Sequence, residues 1–223
     1  MTTPAAPTLT IDIVSDVVCP WCYIGKRKLE TALALPGAAD LPPVEVRWHP
    51  FQLNPDLPEE GVSRKQYLEE KFGGPERAAE IYTRVLAAGR SAGLELNIDG
   101  IARQPNTRAA HALIAFAQQS GGSAGNDVKE RVLKAYFVEN RFIGDTGVLV
   151  EIAREAGLDA EAARAFLRDP AQLEAVARAD AQARSMGISG VPFFIFNQKL
   201  AVSGAQDPAT LLDAMQQAVA AAG

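Results

Sequence analysis

Cysteine is nearly absent from this sequence of 223 residues: the chain has two, Cys19 and Cys22, three positions apart. A small domain held together by disulfides needs cysteines spread along the chain, and two neighbouring thiols cannot tie distant segments together. A disulfide scaffold is therefore excluded. Histidine is equally scarce, because His49 and His111 are the two that the sequence contains.

The sequence also lacks the features of a membrane-spanning, nucleic-acid-binding or secreted chain. No run approaches about 18 uninterrupted apolar residues, which is the length expected of a membrane span. Acidic residues outnumber basic ones by 27 to 22, so the net charge is −5 and there is no basic excess for nucleic acid. Residues 1–8 have neither the positive nor the apolar region of a secretory signal, and we expect a short frayed tail there. We therefore expect a cytoplasmic protein whose thiols are mostly reduced.

Proline is unevenly distributed, and this predicts the organisation of the chain. Nine of the 14 prolines lie at or before Pro58, and none lies between Asn106 and Asp169. Because a proline inside a helix removes a backbone hydrogen bond and clashes with the preceding turn, the proline-free stretch is typical of helices. Hydrophobic residues at 48% and charged residues at 22% are typical of a globular chain.

Hydrophobic periodicity predicts strands at the two ends of the chain and helices between them. The predicted order is βαβ, then six or seven helices, then ββα. A helix is expected from Tyr23 to Leu35, with Pro20 in its first turn. Ser63 and Asn106 are expected to cap two of the helices, and Asp127 with Glu130 resembles a capping box at the start of another. The predicted strands are Leu9–Val14, Val44–Trp48, Phe193–Phe196 and Leu200–Ser203.

The two cysteines form the motif Cys19-Pro20-Trp21-Cys22 between a predicted strand and a predicted helix. Unpaired N–H groups at a helix N-terminus favour a thiolate, so we expect a Cys19 pKa below its free value of about 8.5. Cys19 is then the attacking thiol, and Cys22, one turn into the helix, resolves the mixed disulfide. A zinc half-site and an inert pair are the alternatives, although zinc needs about four ligands and the two histidines have no finger-like spacing.

A second signal is Val191-Pro192, directly before the strand that starts at Phe193. Local sequence alone favours a trans proline at the start of a strand. Together with the cysteine motif, however, the chain resembles the DsbA family of the thioredoxin-fold superfamily, and within it the FrnE-like thiol–disulfide oxidoreductases, which are relatives of the 2-hydroxychromene-2-carboxylate isomerases. The matching stretches are Asp16–Gly25, Trp48–Pro55, Gly187–Phe194 and Ser203–Gln206.

This resemblance implies an α/β protein with a thioredoxin-like fold (βαβ…ββα) and a large all-helical domain inserted between the second and third strands. The expected boundaries are 1–60 and 187–223 for the two parts of the thioredoxin-like domain and 61–186 for the helical domain. The resemblance also implies that the Val191–Pro192 bond is cis and faces the cysteines. The backbone of Val191 would then bind an extended substrate segment in strand-like fashion.

For several other residues the sequence suggests either a role at the active site or a structural role. Pro20 and Trp21, between the cysteines, are expected to modulate the active site, and Trp21 should lie near the surface. Asp16 either perturbs the thiols or caps the turn after the strand. His49 either modulates the site or is packed and hydrogen-bonded. Asn106 either caps its helix or contributes to a thiol-cofactor pocket, and we expect His111 to be structural.

The sequence therefore predicts a thiol–disulfide oxidoreductase or isomerase that works through a mixed disulfide. We expect no bound cofactor and no metal, with glutathione or another thiol protein as electron partner. Substrates would be proteins or small thiols carrying a disulfide or dithiol; no nucleic acid and no membrane is expected. The alternatives are a glutathione-dependent isomerase or transferase acting on a small aromatic substrate, and a non-enzymatic client-binding chaperone. Isomerase relatives typically carry serine where Cys19 stands.

Overall fold

The computed structural model describes residues 8–221, so the expected frayed tail lies almost entirely outside the described residues. At the start of the described chain, alternating apolar and polar residues form strand β1 (Leu9–Ser15), as predicted. Pro20 opens helix α1 (Pro20–Leu33), and a short 3-10 turn over Pro36–Ala38 leads to strand β2 (Val44–Pro50). The predicted βαβ unit is confirmed.

Four strands form the main sheet, in the order β2-β1-β5-β6, with β5 at Phe193–Phe196 and β6 at Leu200–Ser203. β1 pairs with β2 in parallel and with β5 in the antiparallel direction, and β6 continues antiparallel from β5. This arrangement makes β1 a central strand whose carboxyl end leads directly to the cysteine motif.

Helices occupy the chain between β2 and β5, which confirms the predicted helical insertion. The described residues contain seven there: α2 (Arg64–Phe72), α3 (Pro75–Ser91), α4 (Arg108–Gln119), α5 (Ala124–Phe137), α6 (Thr146–Glu155), α7 (Ala160–Arg168) and α8 (Pro170–Ser185). A final helix, α9 (Pro208–Ala220), follows β6.

Sequence signals placed most helix starts correctly, but the expected capping box was wrong. Ser63 caps α2 by accepting a hydrogen bond from the backbone N–H of Gln66. The expected capping box at Asp127 and Glu130 does not form, because α5 begins three residues earlier at Ala124. Asp127 lies in the first turn, where a carboxylate is favoured by the helix dipole. Glu130 points to α1 instead of back to the cap.

A two-stranded antiparallel sheet was not predicted. It pairs β3 (Val62–Ser63) with β4 (Arg103–Gln104). Each strand has two residues, which is too short for an alternating pattern to reveal it. This sheet joins the segment before α2 to the segment before α4.

Buried side chains form a small hydrophobic cluster of Val14, Phe51, Ala183 and Ile188 and one large cluster that joins the sheet to the helices. Phe194 and Phe196 are fully buried in it, whereas Phe193 and Ile195 point to the other side of β5 and are half-buried. The boundaries 1–60, 61–186 and 187–223 stay a prediction. Within residues 8–221, no helix has the length and apolar character needed to cross a membrane.

Candidate active site

Cys19 is the N-cap residue of α1, and Pro20 takes the first helical position. The Cys19 backbone is extended (φ −92°, ψ 112°), and its carbonyl accepts the N–H of Cys22 at 3.0 Å. Pro20 has no N–H to leave unpaired at this position, which explains why the helix starts here. The motif therefore sets both sulfurs at the positive end of α1.

The two thiols are shielded, and Trp21 is the exposed part of the motif. Cys19 is 5% exposed and Cys22 is 1% exposed. Trp21 is 38% exposed, as expected from the sequence. Cys19 is the more exposed of the two thiols, although both are largely shielded from solvent.

The surroundings of the two thiols shift their pKa values in opposite directions. The side chain of Cys22 hydrogen-bonds to Cys19 and, with the backbone N–H groups of Cys22 and Trp21, lowers the Cys19 pKa against burial and the charge of Asp16. Burial is the main cause that raises the Cys22 pKa well above its usual value, and the neighbouring Cys19 adds to it. Cys19 is therefore the more readily ionised thiol.

The loop before β5 lies against this pair. The Val191–Pro192 peptide bond is cis, as the family resemblance implied and contrary to the expectation from local sequence. The Cys19 thiol donates to the carbonyl oxygen of Val191 at 3.7 Å. Pro192 is buried, and its carbonyl oxygen accepts the N–H of Gly204 at 2.8 Å. Cys19 and Val191, which are 172 positions apart in the sequence, are thus in contact through the Cys19 sulfur.

Asp16 lies fully buried beneath the motif and connects three segments. Its Oδ1 accepts the backbone N–H of Val17 at 2.7 Å and contacts Nε2 of His111 at 3.1 Å. Its Oδ2 accepts the N–H of Leu53 at 2.8 Å. Asp16 therefore orders the turn after β1, and its charge also acts on Cys19. Burial lowers the His111 pKa, although the contact with Asp16 opposes this.

Lys129, on α5, is a buried residue that the sequence reasoning missed. Its side chain is fully buried, and its Nζ donates to Oγ of Ser15 at 2.8 Å. The same Nζ lies 5.0 Å from the ring centroid of Trp48. The available signal was its spacing, since position 129 shares the helical face of the buried residues Val132, Leu133 and Tyr136.

The charge of Cys19 also acts on two side chains of the helical segment that were not predicted. Lys71 on α2 and Tyr82 on α3 are both within range of the Cys19 charge, which raises the pKa of each. Burial still sets the net shift, lowering the pKa of Lys71 and raising that of Tyr82. The ammonium of Lys71 donates to Oδ1 of Asn54 at 2.9 Å. The helical segment thus contributes a cation and a phenol whose pKa values respond to the charge of Cys19.

His49 and Asn106 have their partners away from the two sulfurs. His49 contacts Oδ1 of Asp12 on the neighbouring strand at 2.7 Å, and its side chain is 45% exposed. Asn106 accepts the N–H of Arg108 at the start of α4. It also donates to the carbonyl oxygen of Leu57 at 2.7 Å. The N-cap residue of α4 is Thr107 and not Asn106 as expected; Asn106, one residue earlier, binds the first N–H of the helix and ties the loop after β2 to it.

Comparison with known proteins gives the family. The model of the DSBA-like thioredoxin domain matches residues 10–216, nearly the whole chain. The chain belongs to this family. The family suspected from the sequence and the thioredoxin-like fold are both confirmed, and so is the enzyme class, a DsbA-like thiol–disulfide oxidoreductase.

Individual relatives agree with this membership. The protein YwbO of Bacillus subtilis (strain 168) is 30% identical over 196 residues, which are 84% of this chain and 86% of YwbO. The crystal structure of a probable DsbA oxidoreductase from Streptomyces coelicolor is 32% identical, with a TM-score of 0.82 over 95% of this chain and 90% of that one.

More distant structures share the fold alone. The cytosolic disulfide reductase DsbM of Pseudomonas aeruginosa, solved with GSH, is 21% identical, with a TM-score of 0.63 over 96% of both chains. A 2-hydroxychromene-2-carboxylate isomerase is 15% identical, with a TM-score of 0.68 over 96% of this chain and 97% of that one.

Proposed function

We propose that this protein exchanges thiols and disulfides through Cys19 and Cys22. The Cys19 thiolate attacks one sulfur of a substrate disulfide, forms a mixed disulfide and releases the other sulfur as a thiolate. The Cys22 thiolate then attacks Cys19 and releases the second substrate sulfur. The substrate gains two electrons, and the enzyme is left with a Cys19–Cys22 disulfide. The reverse path oxidises a dithiol.

One observation carries this proposal: Cys19 Sγ lies 3.7 Å from the carbonyl oxygen of Val191, beside the cis peptide bond. A substrate segment that pairs with the Val191 backbone as an added strand would bring its sulfur to Cys19. The lowered Cys19 pKa and the raised Cys22 pKa support the assignment of nucleophile and resolving thiol. Trp21, exposed between them, offers an apolar surface to the substrate.

Electrons must come from an outside partner, because the chain has no third cysteine. We propose glutathione or a thiol protein. The charge of Cys19 acts to raise the pKa of the Lys71 ammonium. A cation within range of Cys19 suits an anionic thiol such as glutathione. DsbM, which has the same fold, was solved with GSH. In a reducing cytoplasm the resting enzyme would be the dithiol, which favours reductase or isomerase work over net oxidation.

Reduction of insulin disulfides by glutathione tests the proposal. We expect the wild type to accelerate reduction, Cys19→Ser to abolish it, and Cys22→Ser to accumulate a mixed disulfide visible by mass spectrometry. Undiminished activity of Cys19→Ser would overturn the redox function. If that variant instead keeps a glutathione-dependent activity on small aromatic substrates, the isomerase alternative is favoured. Suppression of client aggregation by the double serine variant, with no reduction by the wild type, would favour the chaperone alternative.

A further inference from the structure

We propose that Lys129 is a positioning residue for the resolving thiol. Its ammonium, supplied by α5 of the helical segment, stabilises the thiolate of Cys22 in the step that releases the product. This inference rests on the proposed function, because it assigns a residue to the second half of that exchange.

The surroundings of Lys129 leave its charge without a carboxylate partner at contact distance. Its side chain is fully buried, with the Ser15 hydroxyl and the Trp48 ring as neighbours of Nζ. Among residues 8–221, no carboxylate oxygen lies within 4.0 Å of this ammonium. An isolated buried ammonium is costly, so an unpaired lysine in a core needs a reason.

Lys26 shows the contrast within the same molecule. It is 2% exposed, but its Nζ pairs with Glu30 and, at 2.8 Å, with Oε2 of Glu130. Its charge is therefore neutralised by its neighbours. Of these two buried lysines, Lys129 is the one whose charge remains available to another group.

Cys22 contacts the residue that follows the one Lys129 binds. Ser15 accepts the Lys129 hydrogen bond, and the backbone of the next residue, Asp16, hydrogen-bonds to the Cys22 sulfur. The charges of Cys22 and Lys129 also act on each other. Lys129 lowers the Cys22 pKa, and among the charged groups Cys22 has the largest effect on Lys129.

The charged and titratable groups around Lys129 come from three elements. α1 contributes Cys22, Cys19 and Lys26, the turn after β1 contributes Asp16, and α4 contributes His111. Asp16 and the two thiols favour the ammonium, whereas Lys26 opposes it. Burial is the largest influence and lowers the Lys129 pKa to about 8, so the ammonium still predominates at pH 7.

The charge matters most in the mixed disulfide. Cys19 is then bonded to the substrate sulfur and is no longer a thiolate, so Cys22 is the group that must ionise. Its proton passes to solvent, its thiolate bonds to Cys19, the bond from Cys19 to the substrate breaks, and the departing thiolate takes up a proton. Lys129 keeps its proton throughout. It acts by lowering the free energy of the buried anion.

Reaction of the reduced enzyme with one equivalent of dithionitrobenzoate separates the two steps. Attack by Cys19 releases the first nitrothiobenzoate, and attack by Cys22 releases the second. For Lys129→Met we expect a normal first phase and a second phase about tenfold slower at pH 7, the factor that one pKa unit carries. The difference between Lys129→Met and the wild type should shrink above pH 8, where Lys129 loses its charge in the wild type, whereas a purely structural effect would not change with pH. Lys26→Met is the matched control and should leave the ratio of the two phases unchanged.

The outcomes distinguish this inference from the proposed function. An absent first phase in the wild type contradicts the proposed nucleophile. An unaltered second phase in Lys129→Met overturns the role of Lys129 alone. Should Lys129→Met fail to fold, Lys129→Gln also removes the charge but keeps an amide that can donate a hydrogen bond to Ser15. We expect the same slow second phase in Lys129→Gln, and a second phase as fast as that of the wild type would overturn the inference.

Discussion

Gly25 on α1 packs directly against the ring of Pro192. A Cβ added at Gly25 would lie 2.9 Å from Cγ of Pro192 and 3.3 Å from Cζ of Phe194. A proline ring has little freedom to move aside, so the missing side chain is what lets the helix of the cysteines approach the cis-proline loop. The distance between Cys19 and Val191 depends on this approach.

Gly25→Ala should therefore weaken both the fold and the exchange reaction. Alanine favours a helix by about 1 kcal/mol over glycine, but overpacking of a core typically costs about 1–3 kcal/mol. We expect a net loss of about 1 kcal/mol in the free energy of unfolding by urea, and a slower attack by Cys19. Gly190→Ala is the control, because no atom lies within 4 Å of a Cβ added there. Equal stability of the two variants would contradict the close packing.

The Cys19 pKa should depend on the hydrogen bond from its neighbour. Because the Cys22 side chain is the largest cause of the lowered Cys19 pKa, Cys22→Ala should raise that pKa. Cys22→Ser keeps a donor and should raise it less. The measurement is the rate of alkylation by iodoacetamide against pH, and we expect a midpoint below about 8 for Cys19 in the wild type. If alanine and serine give the same midpoint, the hydrogen bond has no such effect.

His111 should make the protein less stable in mild acid. Burial lowers its pKa below the usual 6.5, so the unfolded chain binds a proton more readily than the native one. Stability is therefore lost as pH falls through 6.5, at up to about 1.4 kcal/mol per pH unit for one group. Urea unfolding between pH 7.5 and 5.5 should show a smaller loss for His111→Gln than for the wild type. The loss should persist in His49→Gln, which leaves His111 intact.

Much of the fold could be predicted from the sequence, because the patterns that indicate strands and helices lie within short stretches of the chain. Alternation identified β1 and β2, an apolar run identified β5, and the proline-free stretch identified the helical insertion. The Cys19–Cys22 motif needed only its position between a strand and a helix. The start of α5 was misplaced because Asp127 suits both a cap and a first turn, and only the pairing of Glu130 with α1 decides between them.

The surroundings of the thiols could not be predicted, because they are assembled from distant parts of the chain. Asp16 meets His111 across 95 positions, and Lys129 meets Ser15 across 114. The spacing of Lys129 places it on the buried face of α5, but nothing local shows that this face lies near the thiols. Similarly, the cis bond at Pro192 followed from the family resemblance and not from its neighbours in sequence.

Replacing Lys129 with methionine should raise the free energy of unfolding, although the same substitution should slow the release of product by Cys22. A Lys129 pKa lowered from 10.5 to about 8 corresponds to a cost of about 3 kcal/mol for holding the ammonium in the core at neutral pH. Lys129→Met keeps the length of the side chain and removes that cost, although it also loses the contacts with Ser15 and Trp48. We expect a net gain of about 1–2 kcal/mol in the free energy of unfolding by urea at pH 7.

The pH dependence and a second lysine separate this charge effect from better packing. Below the native Lys129 pKa of about 8, the wild type carries the full cost of the buried ammonium. This cost disappears as the pH rises from there to the unfolded pKa of 10.5, so the stability advantage of Lys129→Met should shrink between these two pH values. A gain from packing alone would not change with pH. Lys26→Met should have the opposite sign and lower the stability by about 1–2 kcal/mol, because it removes one of the two cations that pair with Glu30 and Glu130 and leaves both carboxylates to Arg27. If both lysine variants are destabilised alike, the charge of Lys129 is compensated in the native protein and its core position has another cause.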